Sequence, residues 1–388
     1  MNFYKSFYIA LFFLMMPLAS SYSQDLSQIK HTIDSAYPDQ VRTYTVQLPN
    51  SYDDQSTFRY PVLYVLDGES NLDYTVAVTS YLAENALIPE MIVVGLDAGA
   101  TRNIDYMPAF DANNSTSSGA DLFLDYLEKE LIPEVEESYR TAPLRLISGH
   151  SMGGILVTYA LTERAGLFHG YLTQSPYLDT SIGIPLLAKL EASLASNKEL
   201  DAYFYMNLGN EPNLEAQYVQ LETILQGAES PAFEWVSHRE QNENHMTTRL
   251  KGHYAALETF FTSDWPLEIS SLQSGGFESL ENHINQLSSK YGYNILYSEQ
   301  IFQQSTQQFL TMQNLPAARQ AASLYVAQYE TSPLAHFLLG VSLASGGQRD
   351  DALTSINTAI SLYEQNPNPQ LQPVYNQMKQ IQMQLGGG

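Results

Sequence analysis

The chain has 388 residues, 44% of them hydrophobic and 12% aromatic, enough for two or three packed domains. With 18 basic against 42 acidic residues its formal charge is −24, which opposes binding to nucleic acid and to anionic membrane surfaces. It has no cysteine, so disulfides, thiolate metal sites and a cysteine nucleophile are excluded.

Residues 1–23 read as a secretory signal. Lys5 supplies a positive start, Phe7–Leu18 is nearly all apolar, and Ala19-Ser20-Ser21 and Ser21-Tyr22-Ser23 offer small residues for cleavage. The apolar run is short of the ~20 residues a membrane span needs. The mature chain is expected to begin near Gln24 or Asp25 and to be exported, to a bacterial periplasm or medium. No nucleic-acid or membrane partner is expected.

Beyond it, strands and helices alternate. Val41–Leu48 alternates as a half-buried strand, and Tyr60–Leu66 and Met91–Leu96 are continuous apolar runs of the kind covered on both faces. Asp121–Val135 has helical spacing. Leu144–Ser148 reads as a strand, Gly154–Leu161 as a helix, and Gly170–Gln174, Ala202–Leu208 and Ala232–Val236 as further strands. Thr247–Phe261 reads as a closing helix. This order predicts an α/β fold with a mostly parallel central sheet, and a ligand site beyond the carboxyl ends of its strands.

Gly149-His150-Ser151-Met152-Gly153 lies where that site should be. It fits G-x-S-x-G between a strand and a helix. A serine there sits on a cramped turn with its hydroxyl lifted above the sheet, so small neighbours are needed; Gly149, Gly153 and Gly154 provide them. The Met152 N–H, at a helix start, is aimed at developing negative charge. Tyr60–Leu66 runs into Asp67-Gly68-Glu69, and the N–H of Gly68 or Glu69 is expected as the second oxyanion donor. Arg102 and Asp105, after the strand Met91–Leu96, are expected to pair across the rim and to meet substrate.

The serine needs a base. Of eight histidines, His245 stands in the loop between the last strand and the closing helix, where the base of such a site arrives. His238 is second; His253, inside the helix, is expected to pack. The orienting acid should follow the preceding strand. Glu211, just beyond Ala202–Leu208, is the first choice, with Asp179 and Glu215 as alternatives. This chemistry calls for no metal or organic cofactor.

Pro61–Gly68 (PVLYVLDG), Ile92–Pro108 (IVVGLDAGATRNIDYMP), Gly149–Gly154 (GHSMGG) and Glu243-Asn244-His245 together resemble the "putative esterase" family of α/β-hydrolases. That family includes esterase D-like, feruloyl, acetyl-xylan and periplasmic siderophore esterases. The resemblance covers roughly Asp39–Phe261. It implies an esterase domain over residues 24–270, acting on a small-molecule or glycan ester through an acyl-enzyme.

Residues 271–285, which include Ser271–Phe277 (SLQSGGF), read as a linker. The remainder, 286–388, is Gln-rich with helical spacing. At an offset of 34 residues Ala318 matches Ala352, Tyr329 matches Tyr363, Glu330 matches Glu364 and Pro333 matches Pro367. That is the tetratricopeptide period. Too few repeats are present for independent stability, so this region is expected to lean on the first. Its expected roles are to shape the site mouth or to mediate self-association or protein contact.

Overall fold

A computed structural model describes residues 28–37, 39–52, 58–110, 118–179, 181–261 and 263–387. The expected secretory signal lies outside them. The sheet has eight strands: β1 (Ile29–Ala36), β2 (Asp39–Gln47), β3 (Tyr60–Leu66), β4 (Ile92–Leu96), β5 (Thr141–His150), β6 (Gly170–Gln174), β7 (Ala202–Leu208) and β8 (Phe233–Arg239). Their spatial order is β1-β2-β4-β3-β5-β6-β7-β8. β2 lies antiparallel to β1 and β4; every pair from β4 through β8 is parallel. The fold is α/β, with a mostly parallel sheet and a helical C-terminal region.

The strands with continuous apolar runs are those with both faces covered. Every residue of β3, β4, β6 and β7 is buried. Successive side chains point to opposite faces, so Tyr64 and Leu66 join one apolar cluster while Leu63 and Val65 join another. β1 was not anticipated. Its residues are largely exposed, as on an edge strand, so the sequence carries little apolar signal there.

The helices of the α/β body are α1 (Gly68–Glu84), α2 (Arg102–Asp105), α3 (Gly119–Tyr126), α4 (Ile132–Ser138), α5 (Met152–Glu163), α6 (Gly183–Ser196), α7 (Glu215–Gln226) and α8 (Thr248–Phe261). A π-helical turn at Leu127–Leu131 joins α3 to α4. The Ser118 hydroxyl accepts from the Asp121 N–H and the Asp121 carboxylate accepts from the Ser118 N–H, a capping box that fixes the start of α3.

The C-terminal helices are α9 (Ser271–Tyr291), α10 (Glu299–Thr311), α11 (Leu315–Gln328), α12 (Pro333–Ser345), α13 (Arg349–Gln365) and α14 (Gln372–Gly386). The expected linker is instead part of α9, which breaks at Gly276 (φ 62°, ψ −150°). Its Ser-Gly composition suggested a loop, but Leu272, Leu280 and Leu287 are buried on one side and hold it as helix. α10 and α12 begin 34 residues apart, at Glu299 and Pro333, and so do α11 and α13, at Leu315 and Arg349. Ala318 and Ala352 are both fully buried, and a Cβ on Gly340 would lie 2.7 Å from the Ile356 side chain. Small residues therefore stand where helix backbones approach.

The two regions share one core. Leu63 and Val65 of the sheet, Leu257 and Phe261 of α8, Trp265, and Phe302 and Leu338 of the C-terminal helices belong to a single apolar cluster. The Trp265 carbonyl accepts from the Tyr297 hydroxyl at 2.8 Å and from His283 Nε2 at 3.1 Å. Among the described residues no helix is long and apolar enough to cross a membrane.

Candidate active site

β5 ends at His150 and α5 begins at Met152, so the chain must turn at one residue, Ser151. It does so with φ 59° and ψ −115°, a strained conformation for a residue with a Cβ. Backbone bonds hold it there: the Ser151 N–H donates to Gln174 O at 3.0 Å, and the Ser151 carbonyl accepts from Tyr177 N–H at 3.1 Å. A Cβ on Gly149 would lie 2.5 Å from the Gly153 carbonyl, and one on Gly154 would lie 2.8 Å from Pro176. At Gly153 a Cβ would meet only ordinary contacts, from 3.5 Å. Small size is thus demanded at Gly149 and Gly154 and not at Gly153.

His245 arrives from the β8–α8 loop. Its Nε2 is 2.9 Å from Ser151 Oγ and its Nδ1 is 2.5 Å from Glu211 Oε1. Glu211 Oε2 accepts from the Ser175 hydroxyl at 2.6 Å and from the Gly209 N–H at 3.2 Å. Burial pushes the Glu211 pKa up, but these donors outweigh it and hold the carboxyl below its ordinary range. An ionised Glu211 can only accept, so Nδ1 carries the ring proton and Nε2 faces the serine as a bare acceptor.

The loops bearing Glu211 and His245 are fastened together. The Asn210 N–H donates to the Glu243 carbonyl at 2.7 Å, and a Cβ on Gly209 would lie 2.8 Å from that same oxygen. Asn244 Oδ1 accepts from the Met246 and Thr247 N–H groups at 2.9 and 3.2 Å, a local turn that fixes His245 between them. His150 Nε2 donates to the His245 carbonyl at 2.6 Å. Arg249 donates to the Met246 carbonyl at 2.9 Å and to Asn71 Oδ1 at 3.1 Å, tying the His245 loop to α1.

Met152 opens α5, and Gly68 and Glu69 open α1, so their N–H groups belong to first turns, which lack intrahelical acceptors. Asp67 makes the bend into α1 with φ 54°. A Cβ on Gly153 would be 3.6 Å from Asp67 Oδ2, so the two helix starts are neighbours. Gly68 is required by contact: a Cβ there would lie 2.6 Å from the Gly95 carbonyl carbon. Glu69 is turned to the loop after β4, where its carboxylate accepts from the Ala98 N–H at 3.2 Å.

Arg102 and Asp105 do not pair. Arg102 grips Asp67 through Nε (2.5 Å) and Nη2 (2.8 Å), and its Nη1 is 3.2 Å from Met152 Sδ. Asp105 is 1% exposed and points inward to Arg42, at 2.9 and 3.2 Å, and to the Thr101 hydroxyl at 2.7 Å. It is not placed to meet substrate. Arg42 lies 4.8 Å from the centres of both the Phe123 and Tyr126 rings. Helical spacing alone would let residues three apart meet; here each is taken by a partner from elsewhere, Arg102 by Asp67 at the end of β3 and Asp105 by Arg42 of β2.

The alternatives stand elsewhere. Asp179 accepts from Ser181 and Ile182, Glu215 pairs with Arg239, and His238 Nδ1 is 3.3 Å from the Tyr205 hydroxyl. His253 is buried; it donates from Nδ1 to the Arg249 carbonyl and faces Ser148 Oγ across 2.7 Å. Ser175 and the anchoring role of His150 were not anticipated. Ser175 closes β6 with φ 40°, and only the loop it enters hints at it in the sequence.

A family model described as "Putative esterase" matches residues 35–278. Of curated relatives, the "Siderophore triacetylfusarinine C esterase" of Aspergillus fumigatus is 28% identical over 156 residues, 36% of this chain and 52% of that protein. The "Ferri-bacillibactin esterase BesA" of Bacillus subtilis is 26% identical over 155 residues, 35% of this chain and 54% of that protein. The chain thus spans about half the length of the curated relatives it matches. Among solved structures, an IroE-like serine hydrolase from Shewanella oneidensis is 24% identical with a TM-score of 0.65, covering 77% of this chain and 99% of that one. An uncharacterised protein from Capnocytophaga ochracea is 17% identical with a TM-score of 0.61, covering 93% and 100%. At these identities the two structures speak for the fold, which in the second case extends through most of the C-terminal helices.

Proposed function

The chain belongs to the "Putative esterase" family, and from that premise we propose that it is an exported serine hydrolase of carboxylic esters. The observation that carries this is the unbroken chain of hydrogen bonds from Ser151 Oγ through His245 to Glu211. Ser151 attacks the ester carbonyl while His245 Nε2 takes its proton. His245 then gives that proton to the departing alcohol. Glu211 holds the imidazole in the productive tautomer and stabilises its charged form. The tetrahedral oxyanion is received by the N–H of Met152 and by that of Gly68 or Glu69, one such donor being worth about 3 kcal/mol of barrier. Water, activated by the same His245, releases the acyl group. No cofactor enters these steps.

For the substrate, charge guides the reading. The protein carries −24, and Arg102, the cation beside the oxyanion donors, is already paired with Asp67. An uncharged ester, lactone or acylated sugar fits this field better than a polyanion. Arg102 then meets the substrate by hydrogen bonding. A siderophore lactone is the second reading, favoured by the names of the two curated relatives. Residues 24–270 form the esterase domain of this proposal and 286–388 its tetratricopeptide-like region, available for self-association.

The test is hydrolysis of p-nitrophenyl butyrate by the mature chain and by Ser151→Ala. Turnover should vanish in the variant, and a fluorophosphonate should label the parent alone. Equal turnover in both would end the proposal.

A further inference from the structure

Two parts of the proposed machinery come from distant stretches of chain. The second oxyanion donor, the N–H of Gly68 or Glu69, lies at the start of α1, whereas His245 stands on the loop before α8. Packing does little to hold that loop: Met246 and Leu250, on either side of the turn into α8, are each 53% exposed. A segment with few buried apolar contacts opens readily. Polar bonds must therefore fix the imidazole against Ser151.

Arg249, in the first turn of α8, makes bonds in both directions. Its Nε donates to the Met246 carbonyl at 2.9 Å, and its Nη1 reaches Asn71 Oδ1 of α1 at 3.1 Å, 178 residues away in the chain. Asn71 is 2% exposed. Its Nδ2 donates to the Leu66 carbonyl at 2.8 Å and its N–H to the Asp67 carbonyl at 3.0 Å, so it grips the two residues just before Gly68. The guanidinium also lies 5.7 Å from the centre of the Tyr74 ring, again on α1. The Arg249 carbonyl accepts from His253 Nδ1 at 2.9 Å, and His253 Nε2 is 2.7 Å from Ser148 Oγ, three residues before Ser151. Arg249 is thus linked to the elements that bear the proposed base, oxyanion donors and nucleophile.

The residue type matters here. The chain has 42 acidic residues, yet the side-chain hydrogen bonds of Arg249 go to neutral oxygens. A guanidinium carries its N–H groups in one rigid plane, so forming both bonds fixes the distance between the Met246 carbonyl and Asn71. An ammonium on a flexible stem has no such plane and cannot impose that spacing. The Asn71 carboxamide is held in one orientation, since the Leu66 carbonyl needs a donor and Arg249 needs an acceptor.

We propose that Arg249 is a positioning residue, a rigid bridge through Asn71 that holds the His245 imidazole and the α1 oxyanion donors in register. It touches no reacting atom. It acts through Met246 on the base and through Asn71 on the backbone that leads into Gly68. Loss of the bridge leaves every reacting group in the molecule but lets base and oxyanion donors drift apart, and a misplacement of about 1 Å is enough to cost roughly 10²-fold in rate. The inference rests on the esterase reading of this site and adds to it the link between its two halves.

Steady-state hydrolysis of p-nitrophenyl butyrate by the full mature chain tests it, with active sites counted by a fluorophosphonate and Ser151→Ala run alongside. For Arg249→Met, kcat per counted site should fall roughly tenfold or more, with KM within about twofold. Arg249→Lys keeps the charge without the planar fork and should still lose roughly fivefold. Inhibition by a trifluoromethyl ketone, whose tetrahedral adduct uses base and oxyanion donors together, should weaken by the same factor as kcat. Asn71→Leu combined with Arg249→Met should cost no more than the worse single variant. If Asn71→Leu does not fold, the two Arg249 variants decide. A merely structural arginine would lower the number of counted sites and leave kcat per site unchanged, and that result overturns the proposal. Additive losses in the double variant overturn it too, since the two residues would then act apart. Where Ser151→Ala is silent, these failures fall on the bridge alone; a Ser151→Ala variant as active as the parent removes the esterase reading and this inference with it.

Discussion

The ring of His150 donates its Nε2 proton to the backbone carbonyl of His245 at 2.6 Å, and the two rings lie 4.6 Å apart. The residue beside the proposed nucleophile thus anchors the backbone of the proposed base. Burial lowers the His150 pKa to about 3, so it stays a neutral donor near neutral pH.

Replacing that donor should loosen the base without emptying the site. For His150→Phe we expect kcat to fall roughly tenfold, about the worth of one hydrogen bond, with KM within about twofold. Steady-state kinetics on a nitrophenyl ester reads this. A kcat equal to the parent's would remove His150 from the machinery.

The acid should matter more than its neighbour. Glu211→Gln takes away the group that fixes the tautomer of His245, and kcat should drop roughly 10³–10⁴-fold. Ser175→Ala leaves the carboxylate in place with one donor fewer and should cost roughly tenfold. If both variants lose the same factor, Glu211 is not acting through His245.

Acid should weaken the fold through its buried histidines. His150 and His253 are held to about 3 and about 4 by burial, against an ordinary 6.5. Between those values the unfolded chain binds more protons, so stability falls as pH drops below 6.5. Each histidine contributes about 2–3 kcal/mol of that loss by pH 4.5. Glu211, with its depressed pKa, adds a further loss as pH falls through its own range. Urea unfolding at pH 7 and pH 4.5 should show the difference, and His253→Gln should shrink it. A flat profile would mean that these rings are not neutral.

The ion pair that the sequence concealed is a stability element. Arg42 and Asp105 are 5% and 1% exposed. Asp105→Ala strands a guanidinium between two aromatic rings and should cost about 3–5 kcal/mol in chemical unfolding. The double variant Arg42→Met, Asp105→Leu should recover most of it. A single variant that unfolds like the parent would show the pair to be idle.

The parts of this molecule that were legible are those where one physical demand dominates. Tyr60–Leu66, Gly170–Gln174 and Ala202–Leu208 were legible at their observed bounds because each is buried along its whole length and mostly apolar or aromatic. Ser151, His245 and Glu211, the expected triad, lie within hydrogen-bonding distance in series because chain order and the strand ends restrict which loops can meet. The Arg102 partner was not legible because the sheet brings in charges distant in sequence, Asp67 from the end of β3 and Arg42 from β2, that take both members of a pair three residues apart. The helix over 271–285 was not legible because glycine and serine outweigh its two widely spaced leucines, Leu272 and Leu280.

Trp265 is 2% exposed, ringed by Phe261, Tyr291 and Tyr297, with its carbonyl bonded to Tyr297 and His283. A molecule cut short just beyond α8 would keep every group of the proposed machinery and still be damaged, since the outer surface of α8 would meet water in place of indole and phenol. The tail is therefore no detachable accessory: it is the inner lining of a wall that the α/β body cannot build alone.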